Sequence, residues 1–437
     1  MSEFSYPEVL EIQPLTRKPQ VAVTVPGSKS ITNRALVLAA LASQEVPCVL
    51  TGVLNSEDTV LMVDCLRCLG LTVRWESPES LIVFAREESV SDTKPVELAV
   101  GNSGTTMRFL TAMLATRPGR FRLDGVPRMR ERPVQDLLDA LNQIQGVRAT
   151  SEAGNGCPPV VIENSGRVKA DTITVRANVS SQFLSGLLMA APYLASEDRG
   201  ITVRIDGPLV SEPYVEMTLS MMRTWGHVVE RPESNAYRIG QNAVPLFKGP
   251  YAIEPDASAA SYFWALPAIL GGRITVAGLT RNSLQGDVAF VDVLQRMGCR
   301  VEECESGITV HGGPLKGIDV DMNAISDTVM TLGAVACFAD GPTTIRNVAH
   351  IRHKETDRIA ALATELRRLG AEVDEFADGL TIKPRPLHGA EVETYNDHRM
   401  AMSLALIGLK VPGVKIKNPG CVAKTYPGFW QDLDKLR

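Results

Sequence analysis

An apolar helical pattern recurs six times along this 437-residue chain at nearly constant intervals. The stretches open at Ser30 (SITNRALVLAAL), Thr105 (TTMRFLTAML), Ser181 (SQFLSGLLMAAP), Asp256 (DASAASYFWALPAI), Asp327 (DTVMTLGAVACFA) and Asp397 (DHRMAMSLALIG). Their starts lie 75, 76, 75, 71 and 70 residues apart. In most units a second helical run follows and stops at a glycine near an extended segment: Gly70, Gly146, Gly226, Gly298 and Gly370. Such a period belongs to one folding unit copied along the chain, not to one large irregular core. Ser, Thr and Asp are N-cap residues, so six similar helices present six similar N-termini. Each of these attracts anions.

Runs rich in Val, Ile and Thr lie between the helices and read as strands. They are QVAVTV (20–25), DTITVRA (171–177), GITVRIDG (200–207), GRITVAG (272–278), TTIRNV (343–348) and VKIKNPG (414–420). Alternation of strands and helices at this spacing predicts an α/β fold. Six units of roughly 72 residues divide into two domains of three, which suits the chain's length. Three prolines and a glycine in QNAVPLFKGPYAIEPD (241–256) mark an expected crossing between them.

Bulk properties narrow the function. A net charge of −5 argues against general nucleic-acid binding. The apolar runs are too short or too interrupted to span a bilayer, and MSEFSYPEVLEIQP has no apolar signal core. The eight cysteines are scattered. Cys65 and Cys68 form a C-x-x-C inside a helical pattern without a second pair at zinc-site spacing, so helix packing is expected. His350 and His353 sit beside Arg352 and Lys354, which would repel a cation. A cytoplasmic setting with free thiols is expected, with no metal and no cofactor.

Five segments could carry chemistry. In VPGSKSITNR, Lys29, Ser28, Ser30 and Arg34 gather where a strand ends and a helix begins, which suits a phosphate or carboxylate. It is no Walker A loop, because the first glycine is missing and Ala22 and Val23 occupy that region. In GNSGTTMRFL, Gly101 and Gly104 flank Asn102 and Ser103. They serve backbone geometry or a close approach to a ligand. In VPRMRERP, Arg128, Arg130 and Arg132 make either a solvated loop or an oxyanion clamp. In VSSQF, Ser180, Ser181 and Gln182 cap a helix or orient a sugar-like or phosphorylated ligand. The last third holds Asp327, then Lys354, Glu355 and Arg358, then Asp397 and Arg399, then Lys424. Lys354 and Arg358 are four apart and share a helix face.

As a set and in order, PGSKSITNRAL, GNSGTTMR, PRMRERP, VSSQF, KETDR and YNDHRMAM resemble the 5-enolpyruvylshikimate-3-phosphate synthases over nearly the full length. The resemblance implies two similar domains, each of three β-α-β-α-β-β units, with helices packed inside sheets. It implies boundaries at 22–253 for one domain and at 1–21 plus 254–437 for the other, with the active site in the cleft between them. The implied reaction moves the enolpyruvyl group of phosphoenolpyruvate to the 5-hydroxyl of shikimate 3-phosphate and releases phosphate. A monomer is expected, binding these two small molecules and neither nucleic acid nor membrane.

By motif match, shikimate 3-phosphate is held by Lys29, Ser30, Arg34, Ser180, Ser181, Gln182, Ser211, Tyr214, Asp327 and Lys354. Phosphoenolpyruvate meets Lys29, Asn102, Gly104, Arg132, Gln182, Arg358, Arg399 and Lys424. Asp327 and Glu355 are the carboxylates for proton transfer, and Lys29 is a third candidate. The two substrates bring roughly five negative charges into a site with little water. Lys29, Arg34, Arg132, Lys354, Arg358, Arg399 and Lys424 answer that charge. His350 stands where the resembled family often has Asn or Ser, and Phe109 where many members have Pro. The same-fold rival, UDP-N-acetylglucosamine enolpyruvyl transferase, carries a reactive cysteine on its mobile loop, and DGVPRMRERP has none. A silent anion-binding protein is the third reading, but it would gain nothing from carboxylates beside the cations.

Overall fold

The computed structural model describes residues 5–42, 47–86, 95–195, 200–240 and 249–437. The chain divides into two compact units, one of residues 27–253 and one of residues 1–26 with 254–437.

Each unit is built on three apolar helices in mutual contact. In the 27–253 unit these are Lys29–Ala42, Gly104–Leu114 and Ser181–Ala190. In the other they are Ala257–Leu270, Val329–Ala336 and His398–Gly408. Every residue of Gly104–Leu114, Val329–Ala336 and His398–Gly408 is buried. A helix that is apolar all round must lie inside protein, and that forces the sheets outward. The second helices are amphipathic instead. Arg358–Arg368 buries Ile359, Ala361, Leu362 and Leu366 and ends on the exposed Arg367 and Arg368.

Four-stranded sheets complete five of the repeats. The third repeat shows the plan: Thr172–Arg176 pairs in parallel with Ile201–Asp206, which pairs antiparallel with Ala236–Ile239, and that with Val229–Glu233. The parallel step crosses through the apolar helix, as parallel strands require. The strand Thr172–Arg176 alternates exposed and buried residues, so the sheet faces the helices on one side only.

Two repeats exchange their first strands. Gln20–Val23, which leads into the Lys29–Ala42 helix, pairs in parallel with Arg273–Ala277 of the fourth repeat. Tyr251–Ala252, which leads toward the Ala257–Leu270 helix, pairs in parallel with Cys48–Thr51 of the first. Residues 22–26, expected in the first domain, therefore belong with the second, because Ala22 and Val23 hydrogen-bond into its sheet. Of the expected crossing segment, 241–248 lies outside the described residues, and the second crossing falls between Ile253 and Glu254. The sixth repeat has a three-stranded sheet among the described residues. Val9–Glu11 fills its sheet by pairing antiparallel with Lys415–Lys417.

Three details depart from the sequence reading. Lys354 and Arg358 do not share a helix face, because Lys354 is extended after the short helix Ala349–His353 and Arg358 opens the next helix after its cap Asp357. Gly146 does not stop a helix. It sits inside the strand Gln145–Ser151 at a register shift, and the helix before it ends at Leu141. Asp327 does not cap its helix. That helix begins at Val329, and Thr328 holds the cap position without a side-chain bond.

Candidate active site

The sequence-derived residues form one cluster in each unit. In the 27–253 unit, the strand-to-helix turn places Lys29 on the first residue of its helix. Gly27 is required there, because a Cβ would lie 1.8 Å from the Gly52 carbonyl oxygen. The Ser28 hydroxyl accepts from the Ile31 amide at 3.4 Å and caps the helix. Lys29 Nζ lies 3.6 Å from the buried Asp58 carboxylate.

Ser30 is half-buried, and its carbonyl accepts from Arg34 Nη1 at 3.0 Å. Arg34 is almost wholly buried. It also donates to Thr218 Oγ1 at 2.7 Å, to the Tyr214 carbonyl at 3.0 Å and to Ser185 Oγ at 3.3 Å. Its guanidinium sits 5.1 Å from the Phe109 ring centroid and 5.9 Å from that of Tyr214. Burial pulls it down to about 10, which still leaves it charged at neutral pH. Arg34 thus ties its helix to Ser181–Ala190 and Glu212–Thr224, with one Nη1 proton left over.

Gly104 opens the next helix, capped by Ser103. A Cβ there would lie 2.5 Å from Arg132 Nη2 and 2.9 Å from Arg108 Nη1, so the glycine admits two guanidinium groups against the helix N-terminus. Arg132 Nη1 donates to the Asn102 carbonyl at 3.0 Å and to its Oδ1 at 3.3 Å. Arg132 is buried, so it is no solvated loop residue. Arg128 and Arg130 take that role, paired with Glu131 and Asp124. Arg108 Nη1 donates to Gln182 Oε1 at 2.7 Å and joins the second and third repeats. The sequence reading passed over Arg108. Its signal was position: it stands one helical turn after Gly104, inside a motif already singled out. Ser180 caps its helix by accepting from the Gln182 amide at 3.3 Å, and Ser181 is buried beside it. Ser211 adopts φ 51° and ψ 46°, the left-handed region, at the cap of Glu212–Thr224. Tyr214 follows in the first turn of that helix.

The other unit gathers its charges more tightly. Arg358, 1% exposed, donates through Nε to Asp397 Oδ2 at 2.7 Å, through Nη1 to Asp327 Oδ1 at 3.1 Å and through Nη2 to Glu355 Oε2 at 2.9 Å. Burial alone would lower its pKa, but Asp397, Glu355 and Asp327 outweigh that and raise it. Asp327 also accepts from Arg399 Nη2 at 2.8 Å and lies 3.7 Å from Lys354 Nζ. Glu355 Oε1 lies 3.8 Å from Lys424 Nζ. Asp397 both caps its helix, accepting from the Arg399 amide at 2.8 Å, and pairs with Arg358. Arg399 Nη1 reaches the Tyr262 hydroxyl at 3.5 Å.

Two buried groups border this cluster. Asp287 accepts from the Ser258 hydroxyl, and burial and then the nearby Asp327 charge push its carboxyl upward. Burial and then the Lys354 charge pull His350 down to about 4, so it is neutral above that. No group of three or more His, Cys, Asp or Glu side chains able to hold a metal occurs among the described residues. None of the helices described is long and apolar enough to cross a membrane.

The profile of the EPSP synthase family (3-phosphoshikimate 1-carboxyvinyltransferase) matches residues 16–433. The 3-phosphoshikimate 1-carboxyvinyltransferase of Trichormus variabilis is 45% identical over 98% of this chain and 99% of its own. That of Nostoc punctiforme is 46% identical over 97% of this chain and 98% of its own. Among solved structures, an EPSP synthase from Acinetobacter baumannii superposes with a TM-score of 0.77 at 25% identity, covering 98% of both chains. The enolpyruvyl transferase NikO from Streptomyces tendae shares the fold, with a TM-score of 0.75 at 22% identity over 98% of this chain and 97% of its own. The strand-helix repeats, the two charged clusters and these likenesses agree: the chain belongs to the EPSP synthase (3-phosphoshikimate 1-carboxyvinyltransferase) family.

Proposed function

We propose that this chain is a 3-phosphoshikimate 1-carboxyvinyltransferase that moves the enolpyruvyl group of phosphoenolpyruvate to the 5-hydroxyl of shikimate 3-phosphate. The observation that carries the reading is the pair of carboxylates held among cations. Asp327 touches Arg358, Arg399 and Lys354, and Glu355 touches Arg358 and Lys424. An anion-binding protein gains nothing from such carboxylates, whereas proton transfer at carbon and oxygen needs them.

In this reading shikimate 3-phosphate takes Lys29, Ser30, Arg34, Ser180, Ser181, Gln182, Ser211, Tyr214, Asp327 and Lys354. Phosphoenolpyruvate takes Lys29, Asn102, Gly104, Arg132 and Gln182 together with Arg358, Arg399 and Lys424. The 5-hydroxyl oxygen bonds to C2 of phosphoenolpyruvate, its proton passes to a base, and C3 gains a proton. The tetrahedral adduct then loses a C3 proton and the C2–phosphate bond, which restores the double bond and frees phosphate. Asp327 and Glu355 carry the protons, with Lys29 as a third candidate at the meeting of both substrates. UDP-N-acetylglucosamine as acceptor is not favoured, since the loop bearing Arg132 lacks the cysteine that reading needs. A coupled phosphate-release assay with both substrates tests the reading. Release that requires both is expected. No release, or release with UDP-N-acetylglucosamine instead, would overturn it.

A further inference from the structure

Three of the cations assigned above to phosphoenolpyruvate stand on separate segments: Arg358 on a helix, Arg399 on the next, Lys424 on a short turn. One four-residue turn, 393–396, is fastened to all three. It runs directly into Asp397 and Arg399. It takes two side-chain bonds from the strand leading to Lys424, from Lys417 Nζ to Glu393 Oε2 at 2.9 Å and from Asn418 Nδ2 to Asn396 Oδ1 at 3.1 Å. Tyr395 and Asn396 hold φ of 54° and 53°, and Asn418 holds 47°. Consecutive left-handed residues other than glycine are costly and persist only where the surroundings dictate them.

From the helix side, the turn is held by Glu365. It is fully buried and stands seven residues after Arg358, two turns along the same helix face. Its Oε2 accepts from the Glu393 amide at 3.1 Å, and its Oε1 from the Tyr395 hydroxyl at 2.8 Å. The half-exposed Arg368 donates to both oxygens, at 2.8 and 3.3 Å. A buried carboxylate is expensive unless its oxygens are satisfied. Here all four bonds are spent on one helix and one turn. The same face therefore grips residues 393–399 twice, through Arg358–Asp397 and through Glu365.

We propose that Glu365 is a positioning residue for phosphoenolpyruvate: it pins the 393–396 turn and so sets the spacing of Arg358, Arg399 and Lys424. The proposal rests on the reading that these cations hold phosphoenolpyruvate. Three variants of the full chain test it by steady-state kinetics for each substrate, with calorimetry for shikimate 3-phosphate. Glu365→Ala raises KM for phosphoenolpyruvate roughly 10-fold or more, since a displacement near 1 Å has effects of that order. Its affinity for shikimate 3-phosphate stays within about twofold. Hydrogen exchange speeds at the Glu393 and Tyr395 amides and not in Ala257–Leu270. Glu365→Gln, which still accepts from Tyr395 but turns an amide NH2 toward the Glu393 amide, and Tyr395→Phe, which loses one bond, give smaller increases in that order. They decide the matter if Glu365→Ala does not fold. An unchanged KM for phosphoenolpyruvate in the folded variants, or an equal loss of shikimate 3-phosphate affinity, overturns the proposal. Lys424→Met separates the two failures. If it raises that KM while Glu365→Ala does not, the positioning role alone falls. If it leaves the KM unchanged, the cation assignment falls and takes the proposal with it.

Discussion

The two units share a strand-and-helix plan but use their cations in opposite ways. In the 27–253 unit, Arg108 and Arg132 donate to carbonyl and amide oxygens, Arg34 donates to hydroxyls and carbonyls, and Lys29 meets one carboxylate, Asp58. Those neutral acceptors satisfy hydrogen bonds without themselves cancelling charge. In the other unit, Lys354, Arg358, Arg399 and Lys424 face Asp327, Glu355 and Asp397. That cluster is nearly balanced. It holds carboxylates in fixed places among cations. The same fold thus carries one cluster whose cations donate mostly to neutral oxygens and one whose cations hold carboxylates.

The sharpest way to break this contrast is Glu355→Gln. It keeps size and most hydrogen bonding but removes the charge, and turnover is expected to fall at least ~100-fold, the lower scale for general acid–base catalysis. Shikimate 3-phosphate should still bind. Near-parental turnover in a phosphate-release assay would remove Glu355 from the chemistry. Arg132→Ala acts on the 27–253 unit. Loss of a desolvated charge partner costs about 2–5 kcal/mol, and it should appear as weaker phosphoenolpyruvate saturation. Unchanged saturation kinetics would return Arg132 to a packing role.

Gly104→Ala is milder. Its Cβ would press on Arg132 Nη2 and Arg108 Nη1, and these flexible ends can yield. KM for phosphoenolpyruvate should rise roughly 10-fold, in keeping with a displacement below 1 Å, and a normal KM would show that the guanidiniums move aside freely.

The last effect concerns stability rather than catalysis and should be alike in both units. His227 in one and His350 in the other are each pulled down to about 4, the first by burial alone, the second by burial and then by Lys354. Between pH 6.5 and 4 the unfolded chain takes up protons that these folded sites refuse. Stability present above pH 6.5 is therefore lost as pH falls, by on the order of 3 kcal/mol per site at the bottom of the window. His350→Asn and His227→Gln should each flatten the fall of Tm across that range. Calorimetry showing the parental slope in either variant would deny its histidine this part.

Much of the plan was legible because helix starts are local chemistry. Ser103, Ser180, Asp256 and Asp397 lie at or within two residues of the expected openings, and each accepts from a backbone amide of its own first turn. The strands read from Val, Ile and Thr were those that run parallel beside an inner helix. The outermost antiparallel strands, such as Arg300–Cys304 and Glu372–Phe376, went unread because they are half charged, although each pairs through a tight turn with the strand that follows it.

The sequence by itself determined the repeat, the buried helices and the residue types of both clusters, since each depends on spacing within a few turns. Tertiary structure decided the rest. Asp327 has the look of an N-cap, but Arg358 and Arg399, from 31 and 72 residues away, draw its carboxylate into ion pairs. Arg34 reads as a ligand-facing cation, and only the fold shows that it also ties its helix to Ser185 and Thr218. Gln20–Val23 and Tyr251–Ala252 each precede an inner helix and look interchangeable. Only sheet pairing settles that each serves the other's unit, because a strand's free edge carries no mark of its partner until the chain has folded.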